Sequence, residues 1–101
     1  MRSVIKTRAY RKDFDRESAG RYRGVLAGDL PKVIAMLAAD MVLPPKYRDH
    51  MLTGNWANHG ECHLKPDLLL IYMKIDGVYF EDKIGELRLV RLGSHAELLD
   101  R

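Results

Sequence analysis

The spacing of apolar residues in the first half of the chain is that of an amphipathic helix. Over residues 30–38 the apolar side chains recur three and four positions apart, which places them on one helix face. Asp29 is expected to cap the start of this helix, with Pro31 in its first turn. The helix is expected to end near Asp40, because the proline pair at 44–45 cannot continue it.

The rest of the chain predicts an earlier strand and helix and then a run of strands. The first strand is expected over 3–9 and the first helix over 10–23. The later strands are expected at 50–57, 60–64, 68–72 and 86–92, followed by a short turn of helix at 96–99. In the last of these strands, alternation predicts Leu87 and Leu89 on one face and Leu92 on the other.

Two helices followed by a run of strands indicate an α+β fold. Because an amphipathic helix buries its apolar stripe, both N-terminal helices are predicted to pack on one face of an antiparallel sheet. The chain of 101 residues is 47% hydrophobic and 31% charged, which is typical of one folded domain spanning 1–101. The segment 73–85 is long enough to predict an extended hairpin between the last two strands.

Cysteine content and hydropathy indicate where the protein works. Cys62 is the only cysteine, so the chain forms no internal disulfide, and a reducing compartment is expected. No apolar run approaches the roughly 20 residues that a membrane-spanning helix needs. We therefore expect a cytoplasmic protein with no membrane partner.

Positive charge is concentrated in the first half of the chain. Residues 1–48 carry 11 Lys and Arg against 5 Asp and Glu, whereas residues 49–101 carry 6 against 9. Arg11, Lys12 and Arg16 in the first predicted helix contribute to this excess. A one-sided basic surface suits nucleic acid or an acidic protein partner, although a solvated helix face would give the same pattern.

The second half of the chain contains the residues best suited to proton transfer. Histidine is the side chain whose ordinary pKa best matches proton transfer near neutral pH. His50, His63 and His95 each lie near an end of a predicted strand, and Asp67 follows Pro66 in the corner after His63. Strand ends can converge on one cleft, which would bring these three histidines and the aspartate together.

Neighbouring polar and aromatic residues have ordinary structural explanations. His59 fits a turn, Glu61 a solvent-facing strand position, and Trp56 core or edge packing. A zinc site at His59, Cys62 and His63 lacks a paired ligand motif, and adjacent Cys62 and His63 should point to opposite faces of a strand. We therefore predict no metal and no cofactor.

Three segments of the second half form a long, ordered motif. They are Tyr47 to Trp56 (YRDHMLTGNW), Glu61 to Tyr72 (ECHLKPDLLLIY) and Arg91 to Leu98 (RLGSHAEL). This pattern resembles the YafQ branch of the RelE/ParE toxin superfamily. The resemblance implies a RelE-like fold and a type II toxin, an endoribonuclease that enters the ribosomal A site and cuts translated mRNA. It also implies neutralisation by a cognate antitoxin, and contact with operator DNA only through the antitoxin complex.

The resemblance also implies roles for individual residues. The family's catalytic positions match His50, His63, Asp67 and His95. Positions near the family's site match Trp56 and Arg91. The contacts with ribosomal RNA are expected from Arg11, Lys12 and Arg16. The implied chemistry uses the RNA 2′-OH without a metal, with His50 or Asp67 as the base and His95 or His63 as the acid.

Four positions depart from the family pattern and leave alternatives open. Gly60 replaces a frequent arginine, and aromatic residues are replaced by His59, Leu68 and Leu99. Base stacking or phosphate contact is therefore expected to be weaker or supplied differently. One alternative is a ParE-like toxin that inhibits DNA gyrase, and another is an inactive interaction domain on the same fold. The set of histidines and aspartate favours the nuclease, because a gyrase inhibitor has no need of it.

Overall fold

Five strands form one mixed sheet in this computed structural model, which describes residues 1–77 and 85–99. They are β1 (Ser3–Lys6), β2 (His50–Met51), β3 (Gly60–Lys65), β4 (Leu68–Ile75) and β5 (Glu86–Gly93). The strand order is β1-β5-β4-β3-β2. Each pair of neighbouring strands from β2 to β5 is antiparallel, as predicted. In contrast, β1 lies parallel to β5 at the sheet edge, a pairing between distant parts of the chain that no local pattern indicates.

Helices flank the sheet. They are α1 (Arg8–Ser18), α2 (Arg23–Ala27), α3 (Asp29–Ala38) and the short α4 (His95–Leu99), and α1 to α3 lie in the first half of the chain. The helix predicted over 10–23 is α1, which begins at Arg8 and ends at Ser18, and a turn that contains Gly20 separates it from α2. The prediction that Asp29 caps α3 is wrong, because Asp29 is the first helical residue and its side chain makes no capping hydrogen bond. Gly28 is the only residue between α2 and α3. The helix α3 therefore begins at Asp29, one residue earlier than predicted.

The main core lies between the N-terminal helices and one face of the sheet, as predicted. Leu92 belongs to this core together with Leu87 and Leu89, although alternation predicted it on the opposite face. The pairing of β4 with β5 shifts at Val90, which is an extra residue in β5. This bulge returns Leu92 to the helix side.

A smaller apolar cluster covers the opposite face of the sheet. Leu69, Ile71 and Leu98 are buried there, and the half-buried Trp56 packs against them. The strand predicted over 50–57 has only two strand residues, because the chain then forms a 3₁₀ turn at Gly54–Trp56 that carries Trp56 onto this cluster. This face holds the candidate active site.

The extended hairpin predicted over 73–85 is only partly covered by the structure. The strand β4 continues to Ile75, and residues 78–84 lie outside the described residues. No helix within 1–77 or 85–99 is long and apolar enough to cross a membrane.

Candidate active site

Three histidine rings lie in a row on the face opposite α1 to α3. The His63 ring centroid is 6.1 Å from that of His50 and 5.6 Å from that of His95. His50 begins β2, His63 lies in β3, and His95 begins α4. The structure therefore brings together the three histidines that the sequence placed near strand ends. Cys62 is buried in the helix-side core, on the other face from His63 as predicted.

Glu61 is buried between two of these histidines and was missed as a site residue. Its Oε1 lies 3.3 Å from His50 Nε2 and 3.1 Å from His63 Nε2, and the residue is only 3% exposed. The prediction of a solvent-facing Glu61 is wrong, because β2 places His50 directly opposite it in the sheet. Strand alternation could have identified it, since Glu61 shares a face with His63 two positions away.

Hydrogen bonds indicate which nitrogen of each ring can exchange a proton. His50 Nδ1 lies 2.7 Å from the Arg48 carbonyl oxygen, and because a carbonyl only accepts, Nδ1 carries a proton. The nitrogen of His50 that gains and loses a proton is therefore Nε2, which faces Glu61. His63 donates its Nε2–H to Glu61. Among the described residues, the Nδ1 of His63 and the Oε2 of Glu61 are buried without a hydrogen-bond partner.

Asp67 and His95 form the other end of the row. The backbone N–H of His95 donates to Asp67 Oδ1 at 3.2 Å, and His95 Nδ1 lies 3.4 Å from the same oxygen. The His95 backbone N–H, together with its ring, lowers the pKa of Asp67 below its ordinary value. Asp67 is therefore an anion at neutral pH, placed to orient His95.

A capping box sets the position of His95. Ser94 Oγ accepts a hydrogen bond from the Glu97 N–H at 3.2 Å, and Glu97 Oε1 accepts one from the Ser94 N–H at 3.0 Å. These reciprocal bonds begin α4 at His95. The Ser-x-x-Glu signature of this box is present in the sequence and could have predicted the start of α4.

Two of the predicted RNA-binding arginines are bound to a buried aspartate of α1. Asp13 accepts two hydrogen bonds from Arg91, at 2.7 and 3.1 Å, and one from Arg16 at 3.0 Å. The Leu92 backbone N–H also donates to Asp13 at 2.9 Å. Burial alone would raise the pKa of Asp13, but the bonds from Arg91, Leu92 and Arg16 lower it below its ordinary value. The charges of Arg16 and Arg91 are thus largely balanced inside the protein.

The other predicted RNA-binding residues lie nearer to solvent. Arg11 and Lys12 are exposed on α1. Trp56 is half-buried, and its ring makes an edge contact with that of His59, with centroids 5.2 Å apart. No described contact joins Arg11 or Lys12 to the histidine row in the covered part of the chain, so they form a separate candidate surface.

Two departures from the family pattern face the helix-side core rather than the site. A Cβ on Gly60 would lie 2.3 Å from the Tyr72 ring, so a side chain at this position would require the ring to move. Leu68 is fully buried in the same core. Leu99 is half-buried and packs against the cluster beneath α4. The substitutions at Gly60 and Leu68 therefore remove no contact from the histidine row.

Comparison with known proteins identifies relatives along nearly the whole chain. Residues 2–100 match the family model for the YafQ bacterial toxin of type II toxin-antitoxin systems. The chain is 34% identical over 93 residues to a protein of Haemophilus influenzae named as a YafQ toxin, which covers 88% of this chain and 87% of the relative. It is 39% identical over 56 residues to the mRNA interferase toxin YafQ of Escherichia coli, covering 55% of this chain and 52% of the relative.

Solved structures share the fold. A copper-bound mutant toxin from Helicobacter pylori has a TM-score of 0.74 and 37% identity, with 97% of this chain and 99% of that chain covered. The Escherichia coli DinJ-YafQ complex contains a chain with a TM-score of 0.72 and 27% identity, with 97% and 98% covered. The predicted α+β, RelE-like architecture is confirmed by this similarity.

Proposed function

Because the chain belongs to the YafQ family of bacterial type II toxins, we propose that it is an mRNA interferase that cuts translated mRNA. The observation that carries the proposal is the histidine row, with Glu61 between His50 and His63 and Asp67 beside His95. A relative that bears the name mRNA interferase supports the same activity.

The reaction we propose uses the nucleophile that RNA already contains. A base removes the proton of the 2′-OH, the resulting oxygen attacks the neighbouring phosphorus, and an acid protonates the departing 5′-oxygen. Positive charge near the phosphate stabilises the charge that develops on its oxygens. The three imidazoles, together with the Glu61 and Asp67 carboxylates, supply groups for all of these steps.

His95 is the candidate acid. Its Nδ1 lies 3.4 Å from the Asp67 carboxylate, which accepts the Nδ1–H and fixes the orientation of the ring. The opposite nitrogen, Nε2, is then the one that can deliver a proton to the leaving oxygen. Asp67 acts through His95 as a positioning residue.

The His50 and Glu61 pair is the candidate base. His50 Nε2 is the nitrogen that exchanges a proton, and Glu61 lies 3.3 Å from it. Of the two bases that the sequence suggested, Asp67 is the weaker choice, because its lowered pKa makes it a poor proton acceptor at neutral pH. His63 donates to Glu61 and stands between both ends of the row, where it can hold Glu61 in place and contact the phosphate.

The wider setting of this activity follows from the family. We propose that the protein acts in the cytoplasm on mRNA in the ribosomal A site and is neutralised by a cognate antitoxin, through which alone it meets operator DNA. The Escherichia coli DinJ-YafQ toxin-antitoxin complex, which contains a chain of this fold, supports the proposal of an antitoxin partner.

An in vitro translation reaction with primer extension on the mRNA tests this function. We expect discrete cleavage sites inside the translated frame, and no cleavage of the same mRNA when its start codon is removed. Loss of protein synthesis with intact mRNA would contradict the proposal and favour a toxin with another target. Normal synthesis with intact mRNA would indicate an inactive domain.

Binding to ribosomal RNA is expected to depend on Arg11 and Lys12. Replacing both by glutamine should weaken ribosome binding and reduce the slope of log affinity against log salt by up to about 2, because each contact with a phosphate releases roughly one counterion. A filter-binding titration at several salt concentrations measures this slope. Lys32→Gln, which removes an exposed charge from α3, is the matched control. An unchanged slope for the double variant would exclude this surface.

A further inference from the structure

An open cavity of about 430 Å³ adjoins the Asp67 end of the histidine row. One wall is the turn between α1 and α2, which includes Arg21 and Tyr22. The other wall includes Asp67 and Ser94, the residue before His95. This volume lies within the usual range of small-molecule sites, about 300–1,000 Å³. The cavity therefore has room for part of a substrate that also reaches His95.

Arg21 lies over the ring of Tyr22 on the first wall. The guanidinium carbon of Arg21 is 4.7 Å from the centre of the Tyr22 ring, and its Nη2–H donates to the Tyr22 hydroxyl at 2.9 Å. Tyr22 is half-buried and packs against the helix-side core, which holds the ring in place. Because Arg21 is exposed, the side of its guanidinium that points away from the ring is open to a ligand. The plane of an arginine guanidinium is a surface on which unpaired RNA bases stack.

The charges in the cavity favour a neutral base over a phosphate group. Glu17, Glu97 and Asp67 give the described lining three carboxylates against two arginines, and Arg16 is already paired with both glutamates. A phosphate anion would meet this excess of negative charge, whereas the N–H groups of a base can donate to a carboxylate. Asp67 is suited to accept such a bond, because its side chain is 54% exposed and its described hydrogen bonds use only Oδ1.

We propose that one RNA base, that of the nucleotide carrying the departing 5′-oxygen, stacks on Arg21 and donates a hydrogen bond to Asp67. Both residues line the same cavity, and the charge of Arg21 contributes, after the His95 backbone N–H, to the lowered pKa of Asp67. A base bound there sets the departing oxygen beside His95, the candidate acid. This role rests on the function proposed above, in which His95 protonates that oxygen.

Base binding is tested on the isolated protein, without ribosomes. The NMR signals of the Arg21 Nε–H and the Tyr22 ring are followed while cytidine or adenosine is added, with ribose and inorganic phosphate added in separate titrations. We expect both nucleosides to shift these signals to saturation and ribose to leave them unchanged. A shift with inorganic phosphate and none with the nucleosides would make the cavity an anion site and overturn the proposal, as would the absence of any shift.

Arg21→Lys separates stacking from charge, because lysine keeps the positive charge but has no planar group. In this variant the nucleosides should no longer shift the Tyr22 ring signals. Its cleavage of mRNA in the translation reaction should fall by about 5–150-fold, the range that corresponds to the loss of one stacked base. Arg23→Lys makes the same change at an exposed arginine outside the cavity lining, and this matched control should cut mRNA at the unaltered rate.

The binding and cleavage measurements also separate this base site from the function on which it rests. If the nucleosides shift the Arg21 signal but the unaltered protein never cuts mRNA, the proposed function fails, whereas binding of a base is supported. If the unaltered protein cuts mRNA and Arg21→Lys cuts it equally fast, the proposed function is supported and the role of Arg21 is overturned.

Discussion

His63→Ala and His95→Ala are each expected to lower mRNA cleavage in the translation reaction by about 10²–10⁴-fold, the usual contribution of a general acid or base, because His95 is the candidate acid and His63 holds Glu61 of the candidate base. Removing the His95 ring takes away the candidate acid that Asp67 orients. Removing the His63 ring leaves Glu61 without the N–H that it accepts, and separates the two ends of the row. Primer extension with a time course measures the rate for each variant.

The control for this pair is Lys32→Gln, an exposed position on α3 away from the row. It should cut mRNA at the unaltered rate. Because the His63 side chain is only 10% exposed, His63→Gln is tested beside His63→Ala, and thermal unfolding confirms that each variant is folded. If folded His63 and His95 variants both cut at the unaltered rate, the site assignment is wrong.

Asp13→Ala is expected to lower the free energy of unfolding by about 3 kcal/mol, the lower end of the range for removing one partner of a buried ion pair. The change leaves the Leu92 N–H and the guanidinium groups of Arg16 and Arg91 without their shared acceptor. The lower end applies because both arginines are partly exposed and can turn towards water. Urea unfolding at pH 7 measures the difference.

The contribution of Asp13 is also expected to depend on pH. Since its pKa is lower in the folded protein than its ordinary value, its stabilisation is fully present above that ordinary value and is lost as the pH falls through the folded pKa. The difference between unaltered protein and Asp13→Ala should therefore be constant from pH 6 to 8 and shrink below about pH 4. Asp15→Ala, an exposed position on α1, is the control and should change stability by less than about 0.5 kcal/mol. Equal losses for the two variants would contradict the role of Asp13.

Local patterns predicted much of the molecule because they depend on neighbours along the chain. The three-and-four spacing of apolar residues predicted α3 within about one residue at its start, a short apolar run predicted the strand that becomes β4, and alternation predicted β5. The histidines at 50, 63 and 95 were selected correctly as residues that meet, because strand ends gather at one side of a sheet. The motif segments identified the family.

Errors arose where a residue's surroundings come from distant segments. The bulge at Val90 reverses the alternation of β5, so Leu92 faces the helices. Glu61 was predicted to face solvent, but it is buried because β2 places His50 opposite it. Arg16 and Arg91 were predicted to contact RNA, but in the structure both donate hydrogen bonds to Asp13.

The amino-acid order by itself therefore determined α3, most of the strands, the family and the candidate histidines. The tertiary structure alone decided which carboxylate each histidine contacts and which arginines donate to Asp13. The physical reason is separation along the chain: Asp13 and Arg91 are 78 positions apart, and Asp67 and His95 are 28 apart. A periodic pattern indicates on which face of its helix or strand a side chain lies. A hydrogen bond between residues far apart in the sequence depends instead on how separate elements pack.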